Sequence, residues 1–341
     1  MNLAKTAALL GFCSIFSATQ AAETYTLKLN HFLPSSASPH KMIFEPWCAR
    51  IKEESAGRLQ CQIYPSMQLG GTPAKLADMV RNGVADIVWT APSYSPGKFP
   101  RIEAIEQPFQ LPYGANNSNP IIWKFYEQYA KEDFKDYKVL AMHGDGGMGF
   151  HTSKQPVASM DDLKGMKLRA SNRASSLLVE ALGAVPVSMP PAQMTEALSK
   201  GVIDGVLFTW ASIREVKVDE VTRYHSQPHA GSTALSNTVL AMLMNKKKFD
   251  SLPADLKEII ERNSGQALNQ MISERWDLDI QASISATPSE TMVAIQDQDY
   301  AAMQKSAEPV AQNWVKEVAE KGIDGNALLQ GVRGIAAAQA R

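Results

Sequence analysis

The sequence predicts an α/β fold divided into two lobes, on three observations. First, one segment occurs twice: residues 73–90 read PAKLADMVRNGVADIVWT and residues 191–208 read PAQMTEALSKGVIDGVLF. Pro73/Pro191, Ala74/Ala192, Gly83/Gly201, Val84/Val202, Asp86/Asp204 and Val88/Val206 are identical pairs at one constant offset. Each copy reads as a short helix opened by proline, closed by glycine and followed at once by a strand. Second, apolar strand-like runs alternate with amphipathic stretches at the intervals of βαβ units, which predicts mainly parallel sheet. Third, 341 residues with a hydrophobic share of 45% suit two domains rather than one. Two lobes leave a cleft, and a cleft is a common place for a small ligand.

The elements follow in order. YTLKLN (25–30) alternates as a strand, and a polar Pro/Ser loop leads to a helix over about 40–55, ended by Ala56-Gly57. LQCQIY (59–64) is the next strand. Thr72 is placed to cap the first repeat helix, with Pro73 at its first position and Gly83 as its stop, before the strand ADIVWT (85–90). An amphipathic helix over 121–134 precedes the strand KVLAM (138–142). The second lobe starts near 150–152. A turn at 159–162 leads to the strand MKLRA (166–170), and a helix over 175–182, ended by Gly183, leads to the second repeat copy. TVLAMLMN (238–245) is a very apolar strand. From 254 the chain reads as helix, over 254–275 and beyond and again over 300–321. The expected division is a signal peptide at 1–22, lobe I at 23–143, lobe II at 144–235, a return to lobe I with a connecting helix at 236–275, and C-terminal helices at 276–341 packing on lobe II and back over lobe I.

The signal peptide is read from Lys5, the apolar run 7–16 and the small residues ending in Ala21-Ala22, with cleavage near Ala21 or Ala22. That run is too short to span a bilayer, and no later stretch approaches a membrane span. The chain is expected to be exported. Cys13 follows Phe12, where lipoprotein signals want a small residue, so no lipid anchor is expected. Export leaves Cys48 and Cys61, an even count in an oxidising compartment, which predicts a disulfide; two separate buried thiols are the alternative. Two cysteines without a histidine at ligand spacing make no zinc site. A formal net charge of −1 offers no basic excess for nucleic acid.

Catalytic and cofactor motifs are poor. Gly144-Asp145-Gly146-Gly147-Met148-Gly149 matches GxGxxG after a strand, but FHTSKQPV follows it and resists the helix that a dinucleotide site needs. It reads as a flexible crossover between lobes, and no cofactor is expected. There is no GxSxG, HExxH or P-loop, and His31, His40, His143, His151, His225 and His229 are scattered. The aromatics carry more. Trp89 ends the strand after the first repeat helix, and Phe208 and Trp210 end the strand after the second. Ligands of α/β sheets sit at the carboxyl ends of strands, with core packing as the alternative. Arg169, on a buried strand, needs a partner; its planar fork suits a carboxylate, with an internal ion pair as the alternative.

YPSMQLGG (64–71), NGVADIVW (82–89), LKGMKLRASN (163–172), SKGVIDG (199–205) and MNKKKFDSLPADLKEII (244–260), in this order, resemble the periplasmic solute-receptor subunits of tripartite ATP-independent periplasmic (TRAP) transporters, the DctP family. The resemblance covers nearly the whole chain after residue 22. It implies a two-lobe periplasmic-binding-protein architecture with a central cleft and long C-terminal helices. It also implies a monomeric receptor that closes on a small organic acid, and a two-component membrane permease as partner. The family's carboxylate-clamping arginine falls on Arg169 and an assisting asparagine on Asn172. Three positions depart from relatives that bind sugar acids. Phe208 stands where an asparagine is common, Pro190-Pro191 replace an aromatic helix start, and 144–153 lacks a second arginine. The expected ligand is therefore a monocarboxylate with an apolar, branched or aromatic body. It would be held by His31, Gln68 and Trp89 from lobe I and by Arg169, Asn172, Phe208 and Trp210 from lobe II. A receptor for C4-dicarboxylates or sugar acids, or a periplasmic enzyme acting on small acids, are the alternatives.

Overall fold

The computed structural model describes residues 23–229 and 231–339, so the signal peptide expected at 1–22 lies outside the described residues. Its strands are β1 (Tyr25–Asn30), β2 (Leu59–Tyr64), β3 (Ile87–Thr90), β4 (Tyr137–Gly144), β5 (Met148–Thr152), β6 (Lys167–Ala170), β7 (Val185–Ser188), β8 (Gly205–Thr209), β9 (Tyr224–Gln227), β10 (Val239–Asn245) and β11 (Met292–Ala294). They form two sheets, of order β2-β1-β3-β10-β4 and β11-β9-β5-β8-β6-β7. The expected mainly parallel sheet is in fact mixed. β1 runs parallel to β2 and β3, and β6 parallel to β7 and β8, but β10 is antiparallel to β3 and β4, and β5 to β8 and β9. The reason is connectivity. β5 and β10 each enter a sheet from the other one, at the end where the parallel strands finish, and so run the opposite way.

The repeated segment builds the same device twice. Helices Leu76–Arg81 and Met194–Ser199 each follow a proline-led 3-10 turn. Each is stopped by a glycine at positive φ, Gly83 at 77° and Gly201 at 67°, a conformation glycine adopts without the steric cost a Cβ brings. Then an aspartate clamps one residue of a neighbouring strand. The Asp86 N–H donates to Lys28 O (2.9 Å) while Asp86 Oδ2 accepts from Lys28 N (2.8 Å). In the second copy Asp204 N–H donates to Lys167 O (2.8 Å) and Oδ2 accepts from Lys167 N (2.9 Å). Each clamp fixes where its strand enters the sheet, and the strand's alternation then decides what points where. Thr72, expected as a cap, holds the extended N-cap conformation but its side chain caps nothing.

Other differences arise from tertiary partners that local sequence does not display. The helix expected from 121 begins earlier, as Ala115–Phe125 with Pro120 inside it. Its first N–H groups, Ala115 N and Asn116 N, are capped at 2.6 and 2.9 Å by the carboxylate of Asp277, far along the chain. The helix expected over 254–275 is broken at Gly265 (φ 65°) into Ala254–Arg262 and Gln266–Ala286, and the second piece runs through 275/276 without interruption. The short strands β7, β9 and β11 escaped the sequence reading because they are edge or crossover strands with little apolar alternation. Helix Asp297–Ala319 packs on helix Arg173–Ala181, and helix Gly325–Gln339 on helix Ala115–Phe125, so the C-terminal part touches elements of both sheets. The glycine-rich stretch 144–149 is the passage from β4 to β5, with a strand and no helix after it. It is tightly packed rather than flexible: a Cβ on Gly149 would stand 2.8 Å from Ser226 O, and one on Gly147 (φ 97°) 2.8 Å from the Tyr113 ring.

Cys48 and Cys61 form the disulfide, with Cα atoms 5.7 Å apart, tying helix Glu45–Glu54 to β2. On the chain-entropy account a loop of this length contributes about 3 kcal/mol. The Cys48→Ser/Cys61→Ser double variant is expected to lose roughly that stability in urea denaturation, with ligand affinity unchanged because neither residue reaches the cavity described next.

Candidate ligand-binding site

A small cavity lies where the parallel strands of both sheets end. Its wall includes Phe32, Trp89 and Tyr94 from the first sheet and its loops, and Asp145, Met148, Thr238 and Leu240 from the crossing segments. Arg169, Ser171, Phe208 and Thr209 come from the second sheet, and Trp276 from helix Gln266–Ala286. It encloses about 40 Å³, where one water needs about 10–15 Å³ on the same measure.

Arg169 is the only cation among the described residues lining this cavity. It stands on β6 between Leu168 and Ala170, which face the core beneath helix Arg173–Ala181, so the pleat turns the arginine the other way. It is wholly buried. Nε donates to Met189 O at 3.2 Å, and the guanidinium carbon lies 5.5 Å from the centre of the Phe208 ring. Nη1 and Nη2 have no hydrogen-bond partner. Burial pulls its pKa down, opposed by the Tyr94 hydroxyl, which approaches the guanidinium without forming a well-aligned hydrogen bond, and by the charge of Asp145.

The aromatic wall is fixed by its own contacts. Phe32 stacks on Trp89 with ring centres 4.9 Å apart, and Trp276 lies 6.2 Å from Trp89. Trp89 Nε1 donates to His143 Nε2 at 3.0 Å, which leaves His143 Nδ1 as the donor to Gly144 O at 2.9 Å. Trp89 therefore offers the cavity an apolar ring with its N–H already used. Asp145, between β4 and β5, accepts from Gly147 N and Thr238 N at 3.1 Å each; burial pushes its pKa up to about 7.

Of the residues proposed from the sequence, Arg169, Trp89 and Phe208 come together here. Asn172 lies next to Ser171 but caps helix Arg173–Ala181, its Oδ1 accepting from Ser175 N at 2.8 Å, with Nδ2 buried and unpartnered. Trp210 does not line the cavity; past the end of β8 it packs edge-on against His151, ring centres 4.7 Å apart. His31 shares the strand face of Leu29, turned toward the Phe44 ring, and its Nε2 pairs with His40 Nδ1 at 2.9 Å. Gln68 is exposed on the loop after β2. Sequence reasoning missed Phe32, Tyr94, Asp145 and Trp276. Asp145 was visible in the glycine-rich stretch, but only as part of a motif that failed.

The profile of the DctP family, described as bacterial extracellular solute-binding protein family 7, matches residues 29–317. The chain belongs to this family. A marine-metagenome TRAP solute-binding protein from an unidentified microbe, specific for aromatic acid ligands and solved with metahydroxyphenylacetate, is 36% identical, over 93% of this chain and 99% of that one, with a TM-score of 0.88. A TRAP solute-binding protein of Rhodoferax ferrireducens T118, solved with copurified benzoate, gives the same identity, coverage and TM-score. The protein TsaT of Comamonas testosteroni, described as an outer membrane transporter protein, is 28% identical over 93% of each chain. This DctP-family chain is a solute receptor for a TRAP transporter, as the sequence motifs implied, and its transport partner is a membrane permease. No helix among its described residues is long and apolar enough to cross a membrane.

Burial leaves several groups with displaced titrations, and these give a stability profile. Glu106 accepts from Val239 N (2.7 Å) and Ser93 Oγ (3.0 Å), yet burial pushes it up to about 8; burial also pushes Glu215 up to about 7. Such carboxyls hold protons in the folded chain that the unfolded chain has released, so stability falls as pH rises toward their folded pKa. Buried His143 and His225, depressed to about 4 by desolvation, act in the opposite sense, but only while unfolded histidine still titrates, below about pH 7. Between pH 7 and 8 the acids dominate. The unfolding free energy from urea titrations is expected to decline there by on the order of 1 kcal/mol per pH unit, and Glu106→Gln, which keeps an acceptor for Val239, to flatten most of the slope.

Proposed function

We propose that this receptor is periplasmic and binds a monocarboxylate with an aromatic or branched apolar body. The observation that carries the reading is Arg169: a buried guanidinium with Nη1 and Nη2 unpartnered, set among Phe32, Trp89, Tyr94, Phe208 and Trp276. An unpaired buried charge costs several kcal/mol, and a ligand carboxylate taking both Nη groups offsets that cost in the bidentate geometry arginine favours. The rings around it supply an apolar wall for the rest of the ligand. A second carboxylate would find no second cation among the described lining residues and would meet Asp145 instead, which disfavours dicarboxylates. A sugar acid would leave hydroxyls facing rings. The aromatic-acid ligands of the two relatives at 36% identity support the same class.

The chain acts as a carrier and not as an enzyme. Ser171, the hydroxyl nearest Arg169 in sequence, is spent on Thr238 Oγ1 (2.9 Å) and Ser175 Oγ (3.3 Å). A ligand that touches both lobes, 23–143 and 144–235, stabilises their closed arrangement by its differential affinity for it. The segment 1–22 directs export and is cut near Ala21 or Ala22.

In a thermal-shift screen, benzoate-type and branched monocarboxylates at a hundred times their Kd are expected to add roughly 2.7 kcal/mol of stability, while succinate and glucuronate add none. Stabilisation by dicarboxylates alone would overturn the class. Calorimetry on Arg169→Ala is expected to show at least a hundredfold loss of affinity, about 2.7 kcal/mol, and unchanged binding would remove Arg169 as the clamp.

A further inference from the structure

We propose that Glu215 is a positioning residue for ligand binding: it latches the second sheet to the first beside the cavity, and so sets how long the closed receptor holds a ligand it does not touch. The inference rests on the closing motion in the reading above and is independent of the ligand's class.

The latch has four members. Ser38 opens the helix that follows β1. Ala37 O accepts the first bonds of that helix, from His40 N at 3.0 Å and Lys41 N at 3.2 Å, so Ser38 N–H is one of the donors a helix start leaves without an internal partner. It donates to Glu215 Oε1 at 2.5 Å. The Ser38 hydroxyl donates to Asp279 Oδ2 at 2.6 Å and accepts from Arg275 Nε at 3.0 Å. Arg275 and Asp279 are paired with one another on helix Gln266–Ala286, which packs on β4 and on helix Ala115–Phe125. Ser38, Arg275 and Asp279 therefore form a seat on the side of the first sheet. Glu215 is the member that arrives from the other side, on the turn after β8.

That turn is fixed before it reaches the seat. Val218 N donates to Ile213 O at 2.9 Å, and Ile213 and Val218 are both buried in the core on either side of Glu215. The carboxyl is thus held out at a set place, where the N-terminus of the opposite helix favours an acceptor. Arg275 favours its charge and Asp279 opposes it, and burial pushes its pKa up to about 7. An oxygen remains free to accept from Ser38 N–H whether or not the carboxyl holds a proton.

Position in the chain gives the latch its role. Leu33, Ser212 and Trp276 all wall the cavity, and Ser38, Glu215 and Arg275 follow or adjoin them on the same three segments. Glu215 itself is not part of the wall. Breaking its bond leaves the groups that meet the ligand in place and frees the segments that carry them to part. A bond made only when the sheets are together adds its free energy to the closed arrangement, and its loss appears in the rate of release.

The test is calorimetry and stopped-flow fluorescence with benzoate on the wild type, Glu215→Ala and Glu215→Gln. Glu215→Ala is expected to bind about tenfold or more weaker, through faster dissociation, with the association rate within about twofold. Glu215→Gln keeps an acceptor for Ser38 N–H and is expected to stay within about threefold of the wild type. Residual binding reports that each variant is folded. Unchanged affinity in Glu215→Ala, a loss confined to the association rate, or a glutamine variant as weak as the alanine one each overturn the latch and leave the ligand reading standing. A wild type that binds no aryl acid removes that reading instead. The latch is then decided without ligand, by distances between spin labels on helices Leu76–Arg81 and Met194–Ser199: the closed fraction is expected to fall in Glu215→Ala, and an unchanged distribution overturns it.

Discussion

A guanidinium buried without a counter-ion is the constraint around which this molecule is arranged. Arg169 is fully inaccessible and satisfied only at Nε, by one backbone carbonyl. Most other ion pairs lie at or near the surface, such as Lys135–Glu132 and Lys200–Glu196, and exposed pairs of this kind contribute little. Arg169 is different in kind. The fold tolerates it because the Phe208 ring lies 5.5 Å away and Tyr94 and Asp145 favour its charge from nearby, but none of these replaces two hydrogen bonds to an anion. Stability is held back at one point, and on the proposed reading a ligand carboxylate would supply what is missing.

The repeated segment explains how the arginine is placed. Asp204 clamps Lys167, and two residues further along the same strand face stands Arg169. Asp86 clamps Lys28 in the same way, and two residues further along β1 stands Asn30. The two copies thus build equivalent strand ends, and only one of them carries a charge. Asn30 is itself buried with neither side-chain atom partnered; it does not line the cavity, and the structure gives no partner for it. A single cation in a cleft made by a duplicated framework favours a ligand with one carboxylate over a symmetrical one with two.

Much of this was legible locally. Trp89, Arg169 and Phe208 end strands whose pattern is plain in the sequence, and strand ends are where such sheets hold ligands. The features that escaped depend on distant parts of the chain. Trp276 reaches the cavity from a helix far along the chain from Trp89, and the carboxylate capping helix Ala115–Phe125 comes from Asp277 on that same helix. His31 failed for a simpler reason: alternation from Leu29 sends it to the face covered by the helix that follows, where it pairs with His40. Trp210 lies one residue beyond the end of β8, where alternation no longer governs direction.

The glycine-rich stretch at 144–149 forms part of the cavity wall at the joint between the sheets. Its glycines are required by close approach, since added Cβ atoms on Gly146 and Gly149 would stand 2.6 Å from Ile280 Cδ1 and 2.8 Å from Ser226 O. The passage is therefore a packed connection with defined partners. Asp145 in this stretch and Thr238 at the mouth of β10 belong to two separate crossings between the sheets, and they are bonded to one another through the Asp145 carboxyl. Any movement of one sheet against the other strains that bond and shifts the carboxyl relative to Arg169. A ligand held at Arg169 would lie against both crossings, since Asp145 and Thr238 line the same cavity. Closure and recognition would then be the same event, because the cavity wall is built from the segments that must settle before the cleft can shut.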